Sequence, residues 1–374
     1  MIPNAFGAEP EIAVATVAAA PGLRRPPLRW RSKLESIVIP GGVILVSMIL
    51  FGLFVALQGV DPLEVFASIK KASFGSWFSF QNTLLRAAPL MLCALCTAIP
   101  LRLGLVVIGN EGALVIGGLC ATAAGLQVQT APATTVHVIM AAAGMATGGL
   151  WIMIVGALKQ YRGVNETISS LLMNYVAIAL LNQAVNSWMK DPESLNKPSS
   201  YPIPDDKMLQ PFGETQVHWG LVFGILYCLV AWFLIHRTTF GFQIRRSARM
   251  SAPPASRGWR SGPVTLITCF IAGAAPGLAG MVEVAAIHGR ANESLNAWYG
   301  YTGILVAFLA RQNALACIFV SLILGGLLAS GGILQRAHHL PDATILVFQG
   351  IVFMTILYSE SLYGRFKFFR EEAA

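Results

Sequence analysis

The sequence predicts an all-α, polytopic integral membrane fold of about ten transmembrane helices, with both termini on the cytoplasmic side. Three observations lead there. Only 12% of the 374 residues are charged, half the roughly 25% typical of a soluble domain, so lipid must solvate much of the surface. Apolar runs of about 20 residues, the length needed to cross a bilayer core of about 30 Å, recur along the chain. Basic residues gather in alternate connections between those runs.

Residues 1–36 form a cytoplasmic tail and anchor. An Ala-rich stretch precedes the basic cluster Arg24, Arg25, Arg29, Arg31 and Lys33, the reverse of the order in a cleavable signal. The transmembrane domain covers 37–361, with crossings at about 37–58, 83–101, 104–126, 133–158, 167–189, 217–236, 263–288, 299–311, 314–330 and 344–361. The third, eighth and ninth are short or Gly-rich, which suits broken or partly inserted helices. Residues 362–374 are a cytoplasmic tail. This map places 18 of the 26 Lys and Arg residues on the cytoplasmic side, the bias that orients such proteins.

Two connections carry interest. The outer segment 190–216, with Asp191, Glu193, Asp205 and Asp206, is either a docking rim for a soluble partner or a disordered loop. The cytoplasmic segment 237–262 is basic and too short for a nucleotide-binding domain, and no GxxxxGK[ST] run occurs. The net charge of +8 therefore reflects membrane orientation, not nucleic-acid binding. The six cysteines all lie in apolar runs and imply neither a disulfide framework nor a metal site.

Polar residues inside the apolar runs are the functional candidates. Asn110 and Glu111 sit in a Gly-rich stretch from Gly104 to Gly118. A carboxylate there either meets the solute or accepts backbone N–H bonds that hold a broken helix end. Asn174, Asn182 and Asn186 fall at helical offsets of eight and four, on one broad face, where amides either line a solute path or bond neighbouring helices. Asn165 is positioned to cap the helix that carries them. Glu283 follows Gly273, Pro276, Gly277 and Gly280, and either lines the route or pairs with Arg290. Trp298, Tyr299 and Tyr301 either stack on a ring or belong to an interfacial belt.

These stretches resemble the permease subunits of bacterial ABC importers for simple sugars and nucleosides, in the class that includes ribose-type and branched-chain amino-acid permeases. Val107–Ala113 is similar to that family's NIGAEGQ element, Gly163–Tyr175 to its GVNEVISTLMLNY element, Ala272–Val284 to its Gly-rich Glu-containing element, and Gly300–Asn313 to GFxGIAVALLGRxNP. Gln349 and Gly350 also fit. The GVNE run points to the sugar and nucleoside branch over the amino-acid branch.

The resemblance implies an alternating-access import subunit with no catalytic residue of its own. It implies partner ATPase subunits that bind ATP and Mg, a second permease (the same chain or a paralogue) and an external solute-binding protein, all at the inner membrane. It also marks 241–260 as the element resting on the ATPase, with Arg245, Arg246, Arg249, Arg257 and Trp259 as contact residues. Here the chain departs from the family: the Asn-Pro and Arg-Tyr positions are lost and Pro253-Pro254 is gained. Ala113 also replaces the usual Gln. The competing function is a stand-alone secondary transporter or channel with Glu111 and Glu283 as ion relays.

Overall fold

The computed structural model describes residues 30–194, 197–249 and 261–360. Among them are twelve α-helices: α1 (Trp30–Leu57), α2 (Pro62–Phe74), α3 (Trp77–Leu101), α4 (Asn110–Gln127), α5 (Ala133–Arg162), α6 (Glu166–Asn186), α7 (Gly220–Arg237), α8 (Thr239–Arg249), α9 (Ser261–Glu283), α10 (Tyr299–Leu309), α11 (Ala314–His338) and α12 (Ala343–Glu360).

Six described helices, α3, α5, α6, α7, α9 with its continuation to His288, and α11, are long and apolar enough to cross a membrane. The number rises to seven if the bent pair Ile44–Leu57 and Pro62–Phe74 is one span. The expectation of about ten crossings is therefore corrected. The first run lies within α1, and the chain then bends by 115° into α2, where Asp61 accepts from Leu63 N–H and Pro62 opens the new helix. The third run is helical only from Asn110, because 105–109 is irregular. The eighth yields α10, whose 11 residues reach only about 16 Å. The tenth yields α12, whose described apolar part, Ala343–Ser359, is shorter than each of the six. The ninth run, by contrast, lengthens into the 25-residue α11, because Asn313 caps its start through Leu315 N–H and the helix continues past the Gly331-Gly332 pair.

Helix α9 runs through the centre of the bundle against α3, α4 and α5. Pro276 does not break it. The glycines around Pro276 pack it: Gly277 lies against Gly144 and Gly148 of α5, and Gly280 lies against Gly118 and the Leu114 carbonyl of α4. With no side chains between them the backbones approach closely, the usual way apolar helices gain van der Waals contact in lipid. Leu90, Met91, Leu92, Leu95, Leu114 and Met281 complete the core. On one flank Phe51 of α1 stacks on Phe348 of α12 with ring centroids 4.4 Å apart.

The segment 190–216 is built onto the bundle. Ser200 N donates to Ala291 O at 2.9 Å, Ile203 N to Gly289 O at 2.7 Å and Leu209 N to Ala285 O at 2.8 Å. Ala285 belongs to a π-turn, Val284–His288, that follows α9 and leaves carbonyls for this lacing. Arg290 lies 3.8 Å from Asp191 and donates to Ser199 Oγ, so its partners are in this segment and not at Glu283.

A Cβ at position 277 would collide with the Gly144 carbonyl. Gly277→Ala is therefore expected to destabilise the purified protein by about 1–3 kcal/mol in a thermal or denaturant unfolding assay. Gly42→Ala, where a Cβ meets nothing within 4 Å, serves as the near-neutral control.

Candidate functional site

The loop between α3 and α4 re-enters the bundle. After Leu101 the chain turns at Gly104 (φ 80°) and runs back without regular secondary structure through residues 105–109. Asn110, the first residue of α4, donates through Nδ2 to Cys93 O at 3.0 Å. Cys93 lies eight residues before the end of α3, so α4 begins roughly 12 Å inside the bundle. Non-helical backbone at that depth must be satisfied by protein.

A polar stripe on α6 supplies the partners. Thr167, Ser170 and Asn174 are spaced by three and four residues and so share a face. Thr167 Oγ1 donates to Val106 O at 2.9 Å, Ser170 Oγ accepts from Ile108 N at 3.0 Å, and Asn174 Nδ2 donates to Ile108 O at 2.9 Å. Asn174 Oδ1 also accepts from Gly112 N at 2.8 Å. From the other side Thr97 of α3 donates to Val107 O at 2.9 Å. The turn that starts α6 is equally determined: Gly163 ends α5 in the left-handed region, Asn165 caps α6 through Thr167 N and Ile168 N, and Glu166 pairs with Lys159 at 2.9 Å.

A second half-helix starts at the same depth. Neither α4 nor α10 has a side-chain cap from its own N-cap residue. Glu111 provides the cap for α10: Oε1 accepts from Trp298 N at 2.8 Å and Oε2 from Gly300 N at 2.5 Å. Because Glu111 also stands in the first turn of α4, its fully buried carboxylate lies at the positive ends of two helices. The approach requires glycine at 300, since a Cβ there would lie 2.7 Å from Glu111 Oε2. Asn110 Nδ2 bonds Gly300 O at 3.3 Å and reinforces the junction.

The far end of α10 is tied to the basic end of the bundle. Arg311 and Gln312 both have positive φ (48° and 60°), and Arg102 grips Gln312 O through Nε at 3.1 Å and Nη2 at 2.6 Å. Burial, and then the nearby charge of Arg245, hold the Arg102 pKa below its ordinary value. Arg245, on α8, donates to Ile235 O at 2.5 Å and closes the C-terminus of α7.

A cavity of about 390 Å³ lies between α10, α12 and the re-entrant segment. Trp298, Tyr301, Thr302, Leu305, Gln349 and Phe353 are among its lining residues, and none of the lining residues is charged. The Trp298 and Tyr301 rings are 5.3 Å apart, and Tyr301 Oη lies 3.4 Å from Asn174 Nδ2.

Asn110, Glu111 and Asn174 are thus brought together; none of them lines the cavity, but Ile108, Trp298 and Tyr301, which bond Asn174 or Glu111, do. Asn182 and Asn186 are not at the cavity: Asn186 Nδ2 returns to Asn182 O at 2.8 Å. Glu283 is buried beside His288, with Oε2 3.8 Å from Nε2 and Oε1 without a hydrogen-bond partner. Arg245 and Arg246 lie on α8, as does Arg249, whose side chain falls outside the described residues. Arg257 and Trp259 lie outside them altogether. Thr97, Arg102, Thr167, Ser170 and Thr302 were not singled out from the sequence. For Thr167 and Ser170 the signal was present, as hydroxyls at helical spacing from Asn174.

Half-helices that meet inside an apolar bundle, next to an uncharged cavity, define a membrane transport subunit. Residues 79–357 match the family described as the permease component of the branched-chain amino acid transport system, and the chain belongs to that family. It is accordingly a transport component and not an enzyme, a multi-pass protein of the inner membrane and an ABC-transporter permease. The glucose ABC transporter permease of Haloferax volcanii is 27% identical over 327 residues, which cover 85% of this chain and 86% of that protein. The guanosine ABC transporter permease protein NupP of Bacillus subtilis is 26% identical over 301 residues, 79% and 85% of the two chains. The nucleoside ABC transporter permease of Lactococcus lactis is 20% identical over 342 residues, 86% and 93% of the two. No solved structure matches the chain.

Removal of the Glu111 carboxylate leaves two buried amides without an acceptor. Glu111→Ala is expected to cost about 2–5 kcal/mol of stability. Glu111→Gln, which keeps an acceptor oxygen, should cost distinctly less. Chemical denaturation of the purified variants separates the two, and equal losses would contradict the capping role.

Proposed function

We propose that the chain is the membrane-spanning subunit of an ATP-driven importer for a simple sugar or nucleoside. The observation that carries this reading is the uncharged, mainly apolar cavity beside the re-entrant segment, with Trp298, Tyr301 and the single amide of Gln349 in its wall. A neutral hydroxylated ring suits such a lining, whereas an amino-acid zwitterion would lose hydration at both charges without gaining a partner. Relatives named for glucose and for nucleosides, aligned over most of the chain, support the same branch.

In this reading two ATPase subunits, which bind ATP and Mg, rest on the basic end around α8. A second permease completes the path, and an external binding protein docks on the laced segment 190–216. Movement of α8 passes through Arg245 and Arg102 to the Gln312 turn, and α10 carries it as a rigid rod to the cavity. Alternating access then follows from α10 rocking about its Glu111-capped end. The ion-relay reading is weakened at Glu111, since both of its oxygens accept from backbone amides.

The test is reconstitution of the chain in proteoliposomes with its ATPase and binding protein. ATP-dependent uptake of a labelled sugar or nucleoside is expected, with none from the chain alone. Uptake by the chain alone that collapses with an ion gradient would overturn the reading. Within the working complex, Arg246→Glu, on the exposed side of α8, should lower transport-coupled ATPase stimulation several-fold while leaving the permease folded.

A further inference from the structure

Gln349 lies on α12 at the cavity wall and is only 6% exposed. Its Oε1 accepts from Thr302 Oγ1 at 2.9 Å, which orients the amide. Its Nε2 is buried and has no hydrogen-bond partner. A buried donor without an acceptor is unfavourable, and a water, an ion or a ligand at the cavity wall would satisfy it.

The remaining lining explains what such a ligand must look like. Trp298 and Tyr301 supply aromatic rings, while Leu305, Leu346 and Phe353 are apolar. Ile108 also lines the cavity, and its N–H and carbonyl already bond Ser170 and Asn174. The volume of about 390 Å³ falls in the lower part of the range for small-molecule pockets, about 300–1,000 Å³.

We propose that this cavity is a subsite for the transported solute and that it takes a neutral ring bearing hydroxyl or carbonyl oxygens. The ring's apolar face lies against Trp298 and Tyr301, and one ring oxygen accepts from Gln349 Nε2. Aromatic faces suit the C–H face of a sugar or the plane of a base, and the single donor selects an uncharged acceptor. A carboxylate or ammonium group would find no countercharge among the lining residues. Gln349 is thereby a specificity-determining residue. This assignment rests on the transport reading above and adds the place and the chemistry of contact.

Gly350 supplies a reporter. It lines the cavity, and a Cβ added there meets nothing within 4 Å. The full chain carrying Gly350→Cys, with the half-buried Cys120 replaced by Ala, is placed in lipid nanodiscs and exposed to a water-soluble thiol reagent. Glucose, ribose, guanosine and leucine are the probes. Labelling of position 350 is expected, slowed by at least one of the three neutral rings and not by leucine. Adding Gln349→Leu should raise the protecting concentration about three- to tenfold, the loss of one neutral hydrogen bond. Thr302→Val, which removes the orienting hydroxyl, should shift it in the same direction.

No labelling, which would mean that the pocket is filled by lipid, overturns the proposal. So does protection by leucine equal to that by the rings, or protection unchanged in both variants. ATP-driven uptake by the complete importer is read separately. Intact uptake with unchanged protection rejects this subsite alone, whereas absent uptake rejects the import function itself.

Discussion

The carboxylate of Glu111 is buried where the N-termini of α4 and α10 meet, and its two oxygens accept from Trp298 N and Gly300 N. Two half-helices that start inside an apolar bundle expose unsatisfied N–H groups and converging positive dipole ends. Without an acceptor at the junction the arrangement would be costly in a medium with no water to compensate. The buried carboxyl group in turn is tolerable because those amides and dipoles surround it. Much else follows from this reciprocity. Position 300 must be glycine, 105–109 must be stitched by the hydroxyls and amide of α6, and the cavity opens beside the stitched segment.

The four sequence elements that resemble ABC permeases turn out to hold one another. The stretch around Glu111 caps the stretch that starts at Gly300, and the stripe Thr167, Ser170 and Asn174 satisfies the backbone just before Glu111. The Gly-rich stretch of α9 packs against the middle of α4 and α5 and fixes their depth. Conversely, the tie from Arg102 to Gln312 leaves α10 anchored at both ends, as a lever needs to be.

Much of this was legible from residue types. Six runs of about 20 apolar residues became the six long helices, and Asn165 caps α6 as its position suggested. The polar pair Asn110–Glu111 marked a break because a carboxylate in an apolar run demands a special setting. Other features were illegible because spacing along one helix does not say which neighbour each residue meets. Asn174, Asn182 and Asn186 share a broad face, yet only Asn174 reaches the α4 junction, since α4 crosses α6 near its start. The number of crossings was overread for a related reason: hydropathy counts apolar residues and does not register where a helix begins, so 104–126 looked like a span although its helix starts only at the polar pair Asn110–Glu111, and 299–311 although its helix has only 11 residues. Gln349 was visible only as a familiar residue, because its unpartnered amide depends on Thr302 arriving from another helix.

The central claim is that Glu111 holds the start of α10 through its backbone amides. Amide hydrogen–deuterium exchange resolved at Trp298 to Tyr301 measures this directly. The account predicts slow exchange there in the native protein. In Glu111→Ala it predicts acceleration of at least about tenfold at these amides, with the amides in the middle of α5 unchanged. Rapid exchange at Trp298 and Gly300 in the native protein, or protection that survives the substitution, would contradict it.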